Sequence, residues 1–585
     1  MSVTLSRRAL LRAGLSTAAL TLPMPALLRS AQATGIAPLP TAPGYTRLFP
    51  SLAPARFDPN DLARLALGDG DGLTGMSAEP ETVKAADKTP KRDANGHLMI
   101  SATAESEQDD EENFGVPAGY TYLGQFIDHD LTLNPIEHFN PLPEGQPGRN
   151  LRTARFDLDN LYGRGPEDQP YLYEGDGRRL LTGRPLTRAG AASPSRDHPR
   201  MAGRALIGDK RNDENVIVSQ LHAAFTAFHN AVAADEPAAS FDSLRLTVTR
   251  HYQWLVLTDF LPRMVGADLM ARLLPGFGEG GRVGAVRPQL AIAAGLPAGT
   301  IPLEFSDAAY RFGHSMIRPV YRLNARMRGS AQEQRDNPAI AGRRLIFAAS
   351  PYAGLNGFRE YPAEWAIDWR LFFEIERKLE PAAIPDGRLR VQAAYKFDTS
   401  LVNPLAFLPE FSQGEKGGGL SRDTQGQPRP REGMVANLAH RNLLRGVQRG
   451  MPGGQAVAQA LGLDPLPSSA LKVGKATMEA MAENKPVTDY GDSFRHQVPL
   501  WFYVLAEAQA GWAARAASAA GDKGAKDAVP SLLGPVGGRL VAESFIAMML
   551  NDPASVLNAG ADWRPRPTSR GRLGMPELIG MGGLV

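Results

Sequence analysis

The sequence predicts a mainly α-helical protein with long irregular connections and little β-structure. Beyond residue 117 apolar residues recur at helical spacing, and Leu221, Phe225, Phe228 and Val232 would share one helix face. No alternation of apolar and polar residues extends beyond a few positions, so long half-buried strands are not expected. The 60 Gly and 47 Pro residues predict many turns and loops between the helices.

The composition excludes several classes of protein. A chain of 585 residues with 43% hydrophobic residues can bury a sizeable core. Its 64 basic and 62 acidic residues nearly cancel and form no basic stripe, which disfavours nucleic acid as a partner. The absence of cysteine excludes disulfides, zinc–thiolate sites, thiolate ligation of haem and cysteine nucleophiles. No uncharged apolar run approaches the ~20 residues of a membrane span, so none is predicted.

The amino terminus resembles a twin-arginine export signal. Residues 1–33 contain four Arg, including the pair Arg7 and Arg8, and no acidic residue. An apolar stretch follows, and small residues precede an expected cleavage after Ala33. The alternative is a basic amphipathic start of a cytosolic chain. The signal interpretation predicts a periplasmic or secreted protein.

Composition divides the remaining chain into two parts. Residues 34–113 are rich in Pro and Gly and form an irregular segment, either wrapped around the protein or solvated as a tether. Residues 114–585 form the predicted main domain. Within it we expect a helix from near Ser306 to just before Pro319, because proline cannot continue a helix. Surface loops are expected at Ser412–Glu432 and Gly521–Pro530.

The segment Tyr120–Thr132 carries the densest group of chemically active residues. On a helix, Gln125, Asp128 and His129 fall at positions i, i+3 and i+4 and therefore share one face. Asp130 is rotated away from them. One helix can thus contribute to two separate sites.

The segment Gly124–Asp130, read as Gly-Gln-Phe-Ile-Asp-His-Asp, resembles the distal-histidine motif of the animal-type haem peroxidases, the superfamily of myeloperoxidase and cyclooxygenase. Five further segments resemble the family in the same order: Thr153–Gly163, Gly208–Glu214, Leu221–Asn230, Tyr310–Pro319 and Asn442–Gly453. The resemblance covers roughly residues 114–560. It implies a bacterial secreted member whose haem lies between a distal and a proximal helix, with long irregular loops.

The resemblance assigns roles on the distal side of the haem. His129 matches the histidine that takes a proton from the bound peroxide and returns it to the departing oxygen, which requires a pKa below ambient pH. Arg211 matches the arginine that stabilises the oxygen as it becomes negative. Gln125 matches the residue that orients water or a halide.

On the proximal side, the resemblance makes His314 the iron ligand and Asn442 the acceptor for the other ring N–H, an arrangement that fixes the tautomer. Arg311 and Arg445 match the pair that neutralises the haem propionates. His222 and His229 receive no role in the chemistry and are interpreted as core residues.

Two carboxylates match positions that form ester bonds to haem in some family members. These are Asp128 on the distal helix and Glu214, which lies three residues after Arg211. An unlinked pair of hydrogen-bonding carboxylates is the alternative. Asn215 stands where those members have a methionine, so the sulfonium link that helps raise oxidising power cannot form. Chloride is therefore not expected as a substrate.

A calcium site is also implied by the resemblance, with a solvated acidic turn as the alternative. Its expected ligands are all oxygen donors, as calcium requires: Asp130, Thr153, the carbonyl of Arg155, Asp157 and Asp159. An extended loop would point the alternating residues to one side. The family often has serine at the position of Asp159, and the aspartate keeps an oxygen ligand while adding charge.

The predicted function is that of a haem b and calcium peroxidase that reduces hydrogen peroxide, in a response to oxidative stress. It would oxidise bromide, iodide, thiocyanate or phenols through a ferryl intermediate. One alternative is a fatty-acid dioxygenase of the same superfamily, which uses a tyrosine three residues before the proximal histidine. That position is Arg311, and Tyr310 stands one place away. A non-catalytic adhesion or matrix module is the other alternative. The oligomeric state and the physiological donor are not predicted.

Overall fold

The computed structural model describes most of the chain that follows the predicted signal. The described residues are 44–69, 72–77, 85, 89, 91, 110–134, 150–188, 190–327, 342–348, 354–380, 390–413, 430–568 and 570–585. All of them belong to one unit, residues 42–585. Arg7, Arg8 and Ala33 lie outside the described residues, as does most of the expected loop 412–432.

Helices carry most of the regular structure. In the described part of the chain they are α1 (Pro59–Leu67), α2 (Gly119–Leu131), α3 (Asp159–Tyr162), α4 (Val216–Asp235), α5 (Phe241–Leu255), α6 (Leu261–Val265), α7 (Ala267–Leu273), α8 (Leu303–Ser306), α9 (Leu438–Gln448), α10 (Gly454–Ala460), α11 (Ala480–Glu483), α12 (Leu500–Ser518), α13 (Lys523–Asp527), α14 (Pro535–Leu550) and α15 (Met575–Met581). A π-helical turn, Val256–Phe260, joins α5 to α6. No helix within the described residues is both long and apolar enough to cross a membrane.

The strands are short and pair only two by two among the described residues. They are β1 (Tyr45–Thr46), β2 (Glu112–Pro117), β3 (Pro185–Arg188), β4 (Ala191–Arg196), β5 (Arg200–Met201), β6 (Arg204–Ala205), β7 (Ile301–Pro302), β8 (Val320–Tyr321), β9 (Arg344–Leu345), β10 (Ala393–Tyr395), β11 (Lys472–Val473) and β12 (Lys485–Pro486). The β1–β7 pair is parallel, and the other pairs are antiparallel. The prediction of a mainly α-helical chain with little β-structure is confirmed.

Helix α4 lies in the core, and its predicted apolar face is confirmed. Leu221, Phe225, Phe228 and Val232 all lie on α4 and are all buried. The helix packs against α2, α5 and α15. It begins at Asn215, whose side-chain oxygen accepts the first free N–H groups of the helix.

Close backbone packing fixes α2. The amide of Gly119 donates to the carbonyl of Phe372 at 2.9 Å. A side chain at Gly119 would lie 2.6 Å from that carbonyl oxygen and 2.3 Å from the ring of Phe373. Only glycine therefore permits this approach, which sets the start of the helix that carries Gln125 and His129.

The continuous helix expected from Ser306 to Pro319 is wrong. Helix α8 ends at Ser306, and a separate 3₁₀ turn runs over Ala309–His314. Between them Ala308 has φ −135° and ψ −79°, which no helix allows. The neighbouring Asp307 carboxylate binds arginines from two elements, and these contacts override the local helical pattern.

The described residues before position 114 pack on the main body, in agreement with the wrapping interpretation. Strand β1 pairs with β7, and the backbone N–H of Leu48 donates to Glu304 at 3.0 Å. Helix α1 packs against α9, and the guanidinium of Arg47 donates to the carbonyl of Gly450 at 3.0 Å. A domain boundary near residue 114 stays a prediction. The expected loop 521–530 contains the short helix α13.

Candidate active site

The predicted distal residues meet at one face of α2. Gln125, Asp128 and His129 all lie on this helix, and His129 is only 4% exposed. The Nδ1 atom of His129 lies 2.8 Å from Oδ1 of Asn212. The guanidinium of Arg211 donates to the carbonyl of His129 at 3.1 Å. Arg211 therefore lies beside His129, and the catalytic roles of both residues stay predictions.

Arg211 stands on a 3₁₀ turn, Lys210–Asp213, that several contacts hold in place. The Asp209 carboxylate accepts the backbone N–H of Arg211 at 2.8 Å and its guanidinium at 2.7 Å. A side chain at Gly357 would collide with the carbonyl of Asp213, so glycine allows the chain to pass behind this turn. The Arg211 guanidinium also lies 3.9 Å from the carboxylate of Asp128.

Electrostatics keep the His129 ring neutral. Burial, followed by the positive charge of Arg211, lowers the pKa of His129 to about 4. The ring can therefore accept a proton at neutral pH, as the predicted role of a general base requires.

Gln125, Glu214 and Asn215 form a hydrogen-bonded group beside α2. The amide of Gln125 donates to Glu214, and the amide of Asn215 donates to Oε1 of Gln125 at 3.1 Å. Burial, followed by the charge of Glu410, raises the pKa of Glu214 to about 8. Asn215 has a second role as the N-cap of α4, which accounts for a polar side chain at this position.

The two carboxylates expected to form esters differ in their surroundings. Glu214 is partly buried and bonded to Gln125, whereas the side chain of Asp128 is 39% exposed. The Asp128 carboxylate accepts the hydroxyl of Thr132 at 3.0 Å.

Asn212 is a site residue that the sequence reasoning missed. It is fully buried, and its amide reaches Nδ1 of His129 on one side and Nδ1 of His222 on the other, the second at 3.0 Å. His222, which was interpreted as a core residue, therefore contacts the distal site through one amide. His229 is a core residue, bonded to the hydroxyl of Tyr162 at 3.0 Å and to the carbonyl of Arg178 at 2.8 Å. Nothing in the sequence marks Asn212 except that it follows Arg211.

His314 and Asn442 are in contact, but the end of the Asn442 amide that faces the His314 ring differs from the prediction. Nδ1 of His314 lies 2.8 Å from Nδ2 of Asn442, not from its oxygen. The oxygen faces Arg311, whose guanidinium donates to it at 3.4 Å. The expected N–H to oxygen bond is therefore wrong for this conformation, because the cation attracts the amide oxygen. Burial, then the charges of Arg311 and Arg445, lower the pKa of His314 to about 3, so the ring is neutral.

Three arginines converge on one buried carboxylate beside His314. Asp307 lies 3.2 Å from Arg311, 3.0 Å from Arg445 and 3.2 Å from Arg449. The Nε atom of Arg311 is buried and makes no hydrogen bond among the described residues. An anionic group, such as the propionate of a haem, fits this unbonded donor.

Tyr310 links the proximal turn to the distal helix. Its hydroxyl donates to the carbonyl of Gly124 at 3.1 Å, and its ring stacks on Phe305 with the ring centres 4.9 Å apart. Arg311 occupies the place of the dioxygenase tyrosine, three residues before His314.

Three carboxylates on the other side of α2 form a cluster suited to a metal ion. Asp130, Asp157 and Asp159 each bring an oxygen within 4.8 Å of the others. Both oxygens of Asp130 are buried and lack a hydrogen bond within the described part of the chain. Burial raises the pKa of all three carboxyls, that of Asp159 to about 7. The nearby cations are Arg152, 3.2 Å from Asp159, and Arg245, 3.7 Å from Asp157. A divalent cation fits the remaining negative charge.

The sequence suggested an extended loop here, but the loop that supplies this cluster is not extended. Ala154 and Leu158 have φ of 56° and 58°, in the left-handed region, so the chain turns sharply at both positions. The turn brings the hydroxyl of Thr153 to within 3.1 Å of the Asp157 carboxylate, to which it donates. The side chain of Arg155 is partly exposed, and its carbonyl as a ligand stays a prediction.

Comparison with known proteins shows a family likeness. A family model described as animal haem peroxidase matches residues 143–361. Over this segment the chain is similar to the animal haem peroxidases. This segment contains Arg211, Glu214 and His314, as well as Asp157 and Asp159 of the carboxylate cluster.

Individual relatives share limited parts of the sequence. Human thyroid peroxidase is 29% identical over 160 residues, covering 26% of this chain and 15% of the relative. Mouse eosinophil peroxidase is 32% identical over 135 residues, covering 22% of this chain and 17% of the relative. The chain thus spans less than a fifth of either relative. Among solved structures, peroxidase A from Dictyostelium discoideum aligns over 92% of this chain and 95% of its own, with 14% identity and a TM-score of 0.44.

Proposed function

We propose that this protein is a haem peroxidase that reduces hydrogen peroxide and oxidises small donors. The observation that carries the proposal is the pair of neutral histidines, the buried His129 and the partly buried His314, each in contact with an asparagine. His129 has Arg211 beside it, and His314 has an arginine cluster beside it. Haem b, when bound, would supply an iron that peroxide oxidises by two electrons and that small donors reduce again.

Each residue then has a definite task. His314 would bind the iron through Nε2, and Arg311 with Arg445 would bind the propionates. His129 takes a proton from one peroxide oxygen at Nε2 and returns it to the departing oxygen. Arg211 stabilises the negative charge that develops on that oxygen, and Gln125 orients water or a halide.

An absorption spectrum of the purified protein, recorded before and after addition of peroxide, tests the proposal. We expect an intense Soret band that changes on addition of peroxide and recovers when bromide, iodide, thiocyanate or a phenol is added. A colourless, well-folded protein from a haem-replete host would refute the proposal. Oxygen uptake with a fatty acid, without peroxidase turnover, would instead indicate the dioxygenase, against which Arg311 and the bonded Tyr310 argue. A haem protein that turns over neither substrate would indicate the adhesion or matrix module.

We also propose that the haem becomes ester-linked to Asp128 and Glu214. Glu214 stands beside Gln125, and Asp128 shares the helix face of His129. Ester formation requires peroxide turnover, so brief peroxide treatment should leave haem on the polypeptide after acid–organic extraction. Peptide masses should then locate it at one or both residues. Complete release of haem from the treated wild type would show that the carboxylates stay unlinked.

The donor specificity follows from Asn215. Its amide is committed to Gln125 and to the start of α4, and it has no thioether to form a sulfonium link. We therefore propose bromide, iodide, thiocyanate or phenols as donors and exclude chloride. Efficient chlorination of a trap at neutral pH would contradict this.

Calcium is proposed for the cluster of Asp130, Asp157 and Asp159, completed by Thr153 and the carbonyl of Arg155. The unpaired oxygens of Asp130 support this, because burying three carboxylates without a cation is costly. Metal analysis of active protein that has met no chelator should find one calcium per chain. The absence of calcium from such a sample would defeat the assignment.

The sequence of residues 1–33 supports export through the twin-arginine pathway to the periplasm or the exterior, with residues 114–585 as the peroxidase domain. Replacing Arg7 and Arg8 by Lys should block export. Full export of that variant would favour the cytosolic alternative.

A further inference from the structure

Asn212 lies between two buried histidines and contacts both of them. Its Oδ1 is 2.8 Å from Nδ1 of His129, and its Nδ2 is 3.0 Å from Nδ1 of His222. All three side chains are nearly or fully buried. Within the described part of the chain, the Asn212 amide is therefore the polar group that meets the Nδ1 side of the His129 ring.

A third neighbour decides which end of the amide faces His129. The Nδ2 atom of Asn212 also approaches the backbone carbonyl of Asn160, at 3.5 Å. A carbonyl can only accept, so it selects the NH₂ end of the amide. A rotated amide would place two oxygens against each other, and the oxygen is thereby directed to His129.

The backbone of Asn212 is held as firmly as its side chain. Its carbonyl accepts Nε2–H of His198 at 3.0 Å and the hydroxyl of Ser219 at 2.9 Å. Its N–H donates to the carbonyl of Asp209 at 3.1 Å. The partners lie on the connection before β5, on α4 and at the start of the turn that carries Asn212, so they hold its backbone in place.

The direction of the amide fixes the proton on the neutral His129 ring. An oxygen at Nδ1 requires Nδ1–H, which leaves the lone pair on Nε2. Free imidazole side chains slightly prefer the opposite tautomer, with the proton on Nε2. The buried hydrogen bond, and the cost of leaving the amide oxygen unsatisfied without it, are enough to reverse that slight preference.

We propose that Asn212 is a positioning residue that holds His129 in the Nδ1–H tautomer, with His222 as the brace that keeps the amide turned. The catalytic meaning of this tautomer rests on the proposed function, because only a ring with a free Nε2 can take the proton of the peroxide. The tautomer itself can be measured whether or not the protein binds haem.

Two substitutions separate the effect of the amide oxygen from that of packing. Asn212→Leu keeps the shape of the side chain and removes the acceptor. Asn212→Asp, in its protonated form, keeps the C=O that accepts from His129 and offers an O–H toward His222 and the Asn160 carbonyl in place of the NH₂. A purely structural role would not predict that the Nδ1–H tautomer of His129 is lost in the leucine variant and kept in the aspartate variant.

The direct measurement is ¹⁵N NMR of the full chain labelled at the histidine ring nitrogens. It is recorded in the diamagnetic ferrous carbon monoxide form if the protein carries haem, and on the protein as purified if it does not. The chain has 10 histidines, and a His129→Gln spectrum identifies the signals of His129. We expect Nδ1–H in wild type and in Asn212→Asp, and Nε2–H or a mixture in Asn212→Leu. An Nε2–H ring in wild type, or an unchanged tautomer in Asn212→Leu, would overturn the proposal.

A kinetic measurement adds the functional consequence. The reaction of Asn212→Leu with peroxide should slow by about tenfold or more while haem content and KM for the donor stay unchanged, because a base in the wrong tautomer cannot accept the proton. The control is His229→Gln, which alters an equally buried histidine of α4 that does not contact Asn212. A wild-type rate in Asn212→Leu would contradict the proposal. A protein without haem or peroxide turnover would refute the proposed function and leave the NMR result to decide the tautomer.

Discussion

The distal and the proximal histidines each have an asparagine at the same distance, yet the two amides face them with opposite ends. His129 meets the oxygen of Asn212 at 2.8 Å, and His314 meets the nitrogen of Asn442 at 2.8 Å. The amide oxygen requires a proton on Nδ1 of His129, and the amide nitrogen requires a lone pair on Nδ1 of His314. The distal ring is therefore ready to accept a proton at Nε2, whereas the proximal ring carries its proton there.

The neighbours of each amide explain the difference. A carbonyl, that of Asn160, approaches the amide of Asn212 and selects its NH₂ end. A guanidinium, that of Arg311, approaches the amide of Asn442 and selects its oxygen. Iron ligation at Nε2 of His314 needs the opposite arrangement. We therefore expect the Asn442 amide to rotate when haem binds, as Arg311 turns to a propionate, whereas the Asn212 amide keeps its direction.

The largest effect is expected from removal of the proximal ring. His314→Ala should lose haem or hold it loosely, because His314 is the proposed iron ligand beside the arginine cluster around Asp307. The measurement is the ratio of Soret to protein absorbance after gel filtration. His222→Gln serves as the control and should keep its haem. Equal haem content in both variants would show that His314 is not the ligand.

Removal of the His129 ring should slow the reaction with peroxide and leave the haem content unchanged. His129→Ala should keep a Soret band and slow the reaction with peroxide by ~10²-fold or more, the usual scale for losing a general base. Stopped-flow absorbance measures this rate. A rate within a few-fold of wild type would mean that another group moves the proton.

The proximal amide can be tested by a pair of substitutions at Asn442. Asn442→Leu removes every acceptor for Nδ1–H and should weaken haem binding by about 10- to 100-fold, as is common for the partner of a metal-binding histidine. Asn442→Asp keeps an acceptor and should keep the haem, with a lower reduction potential because the ligand becomes more anionic. Haem competition with apomyoglobin and a redox titration supply the two readouts. If the leucine variant held haem as tightly as wild type, the rotated amide would have no function.

The sequence predicted the features that depend on local spacing. Residues at i, i+3 and i+4 on α2 do share a face, and Asp130 does point to a different cluster from His129. The apolar face of α4 was likewise predictable, because helical periodicity alone decides which side of such a helix is buried.

Features that depend on distant contacts were not predictable from spacing. The break at Ala308 arises where Asp307 meets arginines of α9, more than 130 positions away in the chain. The direction of the Asn442 amide depends on Arg311, and the role of Asn212 depends on Asn160, His198 and Ser219. None of these contacts leaves a periodic signal, since each is made by a single polar side chain whose partner is set by the fold.

The smallest predicted effect concerns the carboxylates on the two sides. Asp307 on the proximal side has three arginines, whereas Glu214 on the distal side is bonded to the neutral Gln125, and burial raises its pKa to about 8. The unfolded chain releases this proton near pH 4.5. Between these two values the folded state holds a proton that the unfolded state has lost, so this group costs more stability as the pH rises through the window.

Glu214→Gln removes the titration and keeps a neutral side chain in the same place. In protein that has never met peroxide, the Tm of this variant minus the Tm of wild type should therefore increase by about 2 °C as the pH rises from 5 to 8.5. Differential scanning calorimetry measures the gap, and the exposed Glu483→Gln should show none. A gap that stays constant with pH would mean that Glu214 titrates normally and is charged in this range.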